Sequence, residues 1–423
     1  MGGLLNGGLW TPKTYQFSDL LAEATPVAPT TDTGWATYAN GSRLFLPAGT
    51  NYCTNPSFEL DSNSDGLADG WTSASYDHTV VTSRVPALTG SRGQYAQRWQ
   101  VSGDGSGNAT LFCGDMGGCS AGEPFSLSIL VDASLVGCAS NIALVGGAFS
   151  ELHILNIPDT GGAVMLALSG VWAQEHAATH LYWFATDVVD GDSLDITIDD
   201  VLVGKSSILT PYFDGSYPSC TWSGTANAST STRTASDLRY GVPGLSLDGV
   251  GTVACRVTPL YPSTASTWKT FINVTTATGA GAALQQNFGG VYVTEFDGVN
   301  NPFLAVEKVF STGDVLTCVG RGDGSWLDLN INGVDGTHAS DTSTLSALSQ
   351  MFVGNSHDQN ASALSYIGPI IASPYRKSDA WKAAIQANDG AAYNNLNTLW
   401  RNYMTSGDML IPLCSDGIGW VKK

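Results

Sequence analysis

Charged side chains are scarce: 13% of the 423 residues are Asp, Glu, Lys or Arg, with 37 acidic against 18 basic. The formal net charge is −19, and no run of Lys or Arg offers the clustered cations that phosphate contacts require, so no nucleic-acid partner is expected. No apolar run approaches the roughly 18 residues of a membrane span, and none is expected. The first residues, MGGLLNGGLWTPKTYQFSDLL, lack a basic opening, a continuous apolar core and a small-residue cleavage site, so they do not read as a secretory signal. The eight cysteines, Cys53, Cys113, Cys119, Cys138, Cys220, Cys255, Cys318 and Cys414, form no C-x-x-C pair, which leaves zinc knuckles and thioredoxin-like redox sites unsupported. Cys113 and Cys119 are the one closely spaced pair, and both disulfides and buried free thiols remain open. No P-loop is present, and no enzyme is expected.

Glycine is plentiful, at 49 residues, and short apolar runs rich in Val, Thr and aromatics are separated by Gly, Asn and Asp. That pattern predicts an all-β chain of many short strands, hence antiparallel sandwiches. In SLDITIDDVLVG, Leu194, Ile196, Ile198 and Val201 alternate with Asp and Thr, as a strand with one buried face requires.

The densest chemistry lies in NPSFELDSNSDGLADGW, residues 55–71. Asp61, Asn63, Asp65 and Asp69 occupy positions one, three, five and nine of a D-x-N-x-D-G-x-x-D loop, and Gly66 permits the turn that would bring the Leu67 carbonyl round. Oxygen donors at this spacing suit Ca²⁺, expected here as a structural ion. The loop is no EF-hand, because position twelve is Thr72 rather than Glu and no apolar-periodic helices flank it. A second metal reading, His176 and His180 in EHAATH, would need a helix to bring both onto one face. The residues from Gly170 onward have strand period instead, so no zinc site is expected.

The opening N-P-S-F-E and D-G-W, the central Gly170-Val171-Trp172 and the closing I-D-D-V-L-V resemble the jelly-roll carbohydrate-binding modules of glycoside hydrolases and phage virion proteins. The resemblance implies that first and last strands pair, bringing Glu59 beside Asp199 or Asp200, where that family commonly holds a calcium. The following YFDGSYPSCTWSGTANASTS is similar to a segment that recurs in tailed-bacteriophage virion proteins directly after such a jelly roll. Further on, GDVLTCVGRGDGSWLDLNING, MFVGN and IGPIIASPYRKSDAW resemble laminin-G-like, concanavalin A-like sandwiches, with an Asn332-Gly333 hairpin turn. Ser378 is expected to cap a helix over Asp379 to Gln386.

The expected organisation is two antiparallel β-sandwich (jelly-roll) domains with an extended N-terminal arm. Residues 1–45 form the arm, 46–206 the calcium-binding module, 207–238 an exposed connector, 239–388 the laminin-G-like sandwich and 389–423 a C-terminal extension. These resemblances imply a structural virion protein of a tailed phage, a tail, fibre or decoration subunit with a capacity for glycan adhesion. It would be made in a host cytoplasm and carried on the particle among other virion subunits, as a homo-oligomer with a trimer as first expectation. The alternatives are an extracellular or surface bacterial carbohydrate-binding protein and, further off, a glycan-cleaving enzyme. Stacking on pyranose faces requires flat rings, and Trp99, Tyr76, Trp326 and Tyr292 are the expected ligand-binding aromatics.

Overall fold

A computed structural model describes residues 42–75, 78–91, 93–103, 107–206, 209–217 and 219–241, most of 250–387, and short strands before and after. Most of the arm and of the C-terminal extension lies outside the described residues, as does Tyr76. The chain divides into two compact units, one centred on Ala48–Arg233 and the other on Thr234–Lys423 together with the strands at 31–45.

The first unit is a sandwich of two five-stranded antiparallel sheets. In the front sheet the strands lie in the order Glu151–Ile157, Ala139–Gly146, Thr179–Val188, Gly107–Cys113, Trp71–Ser75. The back sheet runs Val164–Val171, Pro124–Val136, Ser193–Gly204, Tyr95–Gly103, His78–Pro86. Early strands pair with late ones in both sheets, the order of a jelly roll: Ser193–Gly204 lies between Tyr95–Gly103 and Pro124–Val136. Thr179–Val188 lies between Gly107–Cys113 and Ala139–Gly146.

Strand alternation sends one set of side chains from each sheet inward. Trp71, Leu111, Ile142, Leu181 and Trp183 from the front meet Trp99, Val101, Leu127, Ile129, Leu194 and Ile196 from the back in one apolar core. The final strand shows how the sequence manages a parity problem. Ile198 and Val201 are three apart yet both buried, and the register against Pro124–Val136 shifts between Asp199 and Leu202. Asp200 takes up the extra residue at φ 47°, a β-bulge that restores the apolar set to the core.

The segment 207–238, expected to be an exposed connector, instead contains buried structure. Cys220–Trp222 and Ser231–Arg233 form a small sheet with Gly49–Asn51, and Tyr212, Phe213, Asp214 and Tyr217 are buried. Arg233 stacks over the Phe213 ring at 4.4 Å, and Gly215 lies so close to Trp222 that a Cβ would come within 2.4 Å of the indole. Its Pro and Gly residues set the turns, and its aromatics anchor it.

The second unit is also a sandwich of antiparallel sheets, one of seven strands and one of ten. Strands at 31–33 and 42–45, from the segment read as an arm, pair with Asp237–Gly241 and Ser365–Ser373 of this unit. Met409–Ile411 adds to the other end of Ser365–Ser373. The hairpin turn has Asn332 at φ 48° and Gly333 at φ 80°, the two left-handed residues of a type I′ turn. The helix spans Asp379–Gln386, with the Ser378 side chain accepting from the Trp381 amide at 3.2 Å and with Trp381 and Ile385 buried. Beneath it the buried Arg321 binds Asp328, donates to the Lys377 carbonyl at 2.8 Å and reaches Asp379 of the helix at 2.7 Å. No helix among the described residues is long and apolar enough to cross a membrane.

Candidate functional site

The front sheet of the first unit presents a row of aromatic rings on the face turned away from the core. In Thr179–Val188 the residues Leu181, Trp183 and Ala185 point inward, so His180, Tyr182 and Phe184 point out. Phe112 lies directly opposite Tyr182 on the neighbouring strand, with ring centroids 5.0 Å apart and planes 24° from parallel. Tyr182 and Phe184 are themselves 5.5 Å apart and 13° from parallel. Ladder partners on this face include the polar Thr72, Thr110, Asn141 and Asn156 and, on the side of Tyr182 and His180 towards Glu151–Ile157, the apolar Ala143, Val145, Leu152 and Ile154.

A fourth ring arrives from the turn between Ala139–Gly146 and Glu151–Ile157. Phe149 adopts φ 63°, a conformation that costs a non-glycine residue roughly 1–3 kcal/mol. It projects its ring within 5.1 Å of Tyr182 and 6.2 Å of Phe184 while remaining 51% exposed. The turn is closed by the Ser150 amide donating to the Gly146 carbonyl at 3.2 Å. The strained backbone therefore holds a large apolar ring half in solvent and beside two others, the reverse of what core packing alone favours. The result is an aromatic platform with Thr and Asn side chains on part of its rim and exposed Leu152 and Ile154 on another, able to take the C–H face of a sugar ring and to hydrogen-bond hydroxyls on the polar side.

Beside the platform, Trp99 does not serve as a ligand-binding ring. It is fully buried, because its strand position in Tyr95–Gly103 faces the core between the sheets. Trp326 starts the strand Trp326–Ile331, with its side chain outside the described residues. Tyr292 lies in the second unit, half-buried, with its ring 5.5 Å from that of the exposed Trp268 in an edge-on arrangement. His176 and His180 are not brought together. His180 stands on the platform face, 6.1 Å from Tyr182. The buried His176 bonds through Nε2 to Glu151 at 3.0 Å, and His153 binds the other oxygen of the same carboxylate at 2.9 Å. Although burial opposes its charge, the Ala173 amide and the His176 ring hold the Glu151 carboxyl below its ordinary range.

The 61–69 loop is organised by its own oxygens. Asp61 Oδ2 accepts from the Gly66 amide at 3.2 Å, Asp65 Oδ1 from Leu67 at 2.9 Å, Asn63 Oδ1 from Asp65 at 3.3 Å and Asp69 Oδ1 from Ser62 at 2.9 Å. Gly66 sits at φ 85°, where a Cβ would come within 2.9 Å of the Thr82 carbonyl. Asp61 Oδ1 is shielded from solvent and has no hydrogen-bond partner among the described residues, an acceptor that a cation would satisfy. Among the described residues no three His, Cys, Asp or Glu side chains already converge in a ligating geometry. The residues fit a hard cation by donor type, and Asp61, Asn63, Asp65, Asp69 and the Leu67 carbonyl are the groups that would hold it.

Glu59, Asp199 and Asp200 gather at the segment 88–95. Glu59 Oε1 accepts from the amides of Gln94 at 2.6 Å and Tyr95 at 3.0 Å, Asp199 Oδ2 from Leu88 at 3.2 Å, and Asp200 Oδ1 from the Ser91 hydroxyl at 3.3 Å. Burial pushes the Asp199 carboxyl up to about 6, and the neighbouring Glu59 charge adds to that rise.

No family model matches the chain, and no curated protein matches it. Among solved structures, it is similar to the enzymatically active domain of bacteriophage CBA120 tailspike protein 4 (16% identity, TM-score 0.28, covering 36% of this chain and 21% of that one). It is also similar to domains LG4-5 of the mouse laminin alpha1 chain (10% identity, TM-score 0.25, covering 60% and 84%). A third similar structure is a xylan-binding domain from Paenibacillus barcinonensis (16% identity, TM-score 0.25, covering 38% and 96%). The chain spans about a fifth of the length of the tailspike structure it matches. Likenesses at these scores carry no functional assignment, which rests instead on the chain's own side chains.

The platform rings Phe112, Phe149, Tyr182 and Phe184 are absent from the aromatics expected from sequence. A signal for two of them is present in HLYWF, where His180, Tyr182 and Phe184 alternate with Leu181 and Trp183. Phe112 and Phe149 have no such local signal, because strand pairing and a strained turn bring them in.

Proposed function

We propose that the protein is a non-catalytic glycan-binding protein and that the front-sheet platform of its first unit is the binding face. The observation that carries this reading is Phe149. A left-handed phenylalanine, half exposed and set beside Tyr182 and Phe184, is a poor device for stability and a good one for presenting rings to a ligand. Glycan-array binding of the intact chain, compared with Tyr182→Ala, tests it. Calcium is part of the proposal as a structural ion in the 61–69 loop, supported by the solvent-shielded Asp61 Oδ1.

A second reading, a virion subunit of a tailed phage that assembles into a homo-oligomer and joins other subunits, is favoured by the edges of the same sandwich. Glu151–Ile157 and Val164–Val171 each form one edge of their sheet, and they expose Leu152, Ile154, Met165 and Val171. Edge strands with outward apolar side chains invite pairing with another chain. Light scattering of the purified protein separates the two readings: a monomer that binds glycans supports adhesion alone, and a closed oligomer supports assembly.

A further inference from the structure

The segment Tyr212–Asn227 has no role in the front-sheet platform, yet much of it is devoted to building a cavity. A cleft of about 380 Å³ opens at the first unit, with Tyr212, Asp214, Tyr217 and Asn227 on one side and Glu59 and Gln94 on the other. That volume falls near the lower end of the ~300–1,000 Å³ usual for small-ligand sites. It shares no residue with the platform.

The walls are fixed before any ligand arrives. Asp214 is buried, and its carboxylate accepts from the Tyr212 hydroxyl at 2.9 Å, the Ser57 hydroxyl at 3.3 Å and the Ser216 amide at 2.8 Å, with the Ser216 hydroxyl as a further donor. Asp214 is thus a positioning residue, satisfied by the protein itself and locking Tyr212. Tyr217 meets Tyr212 edge-on at 5.8 Å, so the pair forms a rigid apolar corner. Across the cleft, the Glu59 carboxylate is oriented through Oε1 by the Gln94 and Tyr95 amides. Gly93 lies so close that a Cβ there would come within 2.5 Å of that oxygen. Glu59 itself lines the cleft.

The rim is supplied by a tight turn. The Ser223 amide donates to the Thr230 carbonyl at 2.9 Å and the Ala228 amide to the Thr225 carbonyl at 3.1 Å, with Asn227 between them at φ 60°. A side-chain amide is thereby held at the cleft from a left-handed backbone position. Together Glu59, Gln94 and Asn227 provide a charged acceptor and two amides that both donate and accept, beside the two tyrosine rings. Among the described residues no Lys or Arg lines the cleft, and Glu59 and Asp214 bring negative charge to it, which disfavours an acidic ligand.

We propose that this cleft is a second ligand site, taking one neutral pyranose unit, such as a terminal sugar, with its C–H face on the tyrosine corner and its hydroxyls on Glu59, Gln94 and Asn227. It goes beyond the glycan-binding reading of the front sheet and does not depend on it. Saturation-transfer NMR with the intact protein tests it, using methyl glucoside, methyl galactoside and N-acetylneuraminic acid as probes. Asn227→Gly removes the amide and suits the left-handed backbone, and Gln94→Ala removes only a side chain, because the Gln94 backbone amide is what holds Glu59. The expected result is transfer to a neutral glycoside in the wild type, lost in both variants and retained in Tyr182→Ala, with none to the acidic sugar. Absence of transfer to both neutral glycosides, transfer that survives both cleft variants, or transfer to N-acetylneuraminic acid would overturn the proposal. Transfer lost only in Tyr182→Ala would remove the cleft while leaving the front-sheet reading in place.

Discussion

The ring of Phe149 lies 5.1 Å from that of Tyr182, held there by a backbone at φ 63°. The contact joins a strained turn to the middle strand of the front sheet, and it explains why a large apolar side chain is maintained half in solvent. Two substitutions separate its binding role from its packing role.

Phe149→Gly is expected to weaken glycan binding while leaving stability within about 1 kcal/mol of the wild type, because relief of left-handed strain offsets the lost ring contacts. Paired denaturant melts and binding isotherms check it. A large loss of stability would show that the ring is a packing element instead.

Tyr182→Ala and Trp99→Ala should behave in opposite ways. Loss of the Tyr182 platform contact should weaken binding about tenfold or more, equivalent to some 1.4 kcal/mol, with a modest effect on unfolding. Trp99 is fully buried, and Trp99→Ala should destabilise the first unit by about 3–5 kcal/mol. Thermal melts of both variants against the wild type distinguish the two roles.

These two residues also show where the sequence is legible and where it is not. Alternation in Leu194–Val201 correctly marks a strand with a buried face, and the Ser378 cap and the Asn332-Gly333 turn are readable because their signals are local. The proposed binding face is not local. It takes Phe112 from one strand, Tyr182 and Phe184 from another and Phe149 from a turn, and the register that unites them is a property of the folded sheet. Trp99 misleads for the same reason: its residue type suits sugar stacking, and only the sandwich decides that its side chain points inward. Tyr212, Phe213 and Asp214 sit among turn residues and read as a connector, although tertiary packing buries all three.

Chelation should lower the melting temperature of the first unit if a cation satisfies Asp61 Oδ1. Calcium at a hundredfold excess over its Kd would contribute about 2.7 kcal/mol, lost on adding chelator. In Asp61→Asn the melts with calcium and with chelator should coincide. A wild type indifferent to chelator would remove calcium from the account.

Cysteine pairing should follow space and not sequence spacing. Cys53 and Cys113 have their sulfurs 3.8 Å apart, and Cys255 lies directly opposite Cys318 across two antiparallel strands. Exposed during refolding to oxidised glutathione, which is reduced as each cystine forms, both pairs should close with loss of two hydrogens per pair. Peptide mass mapping without reductant checks this, and a Cys113–Cys119 link would contradict it.

In the second unit, Asp328→Asn should cost about 3–5 kcal/mol, because it leaves the buried Arg321 charge without its buried partner. Asp379→Asn, at the exposed end of the same network, should cost far less. Denaturant melts that follow the second unit compare them.

The central claim is that the front sheet binds glycans through its aromatic row. The most direct measurement is a glycan array probed with the intact protein in calcium, alongside Tyr182→Ala shown by its melt to be folded. The account predicts saturable binding to a defined set of glycans by the wild type and its loss, by about tenfold or more, in the variant. Wild-type binding that Tyr182→Ala leaves unchanged, or no binding to any glycan by the folded wild type, would contradict it.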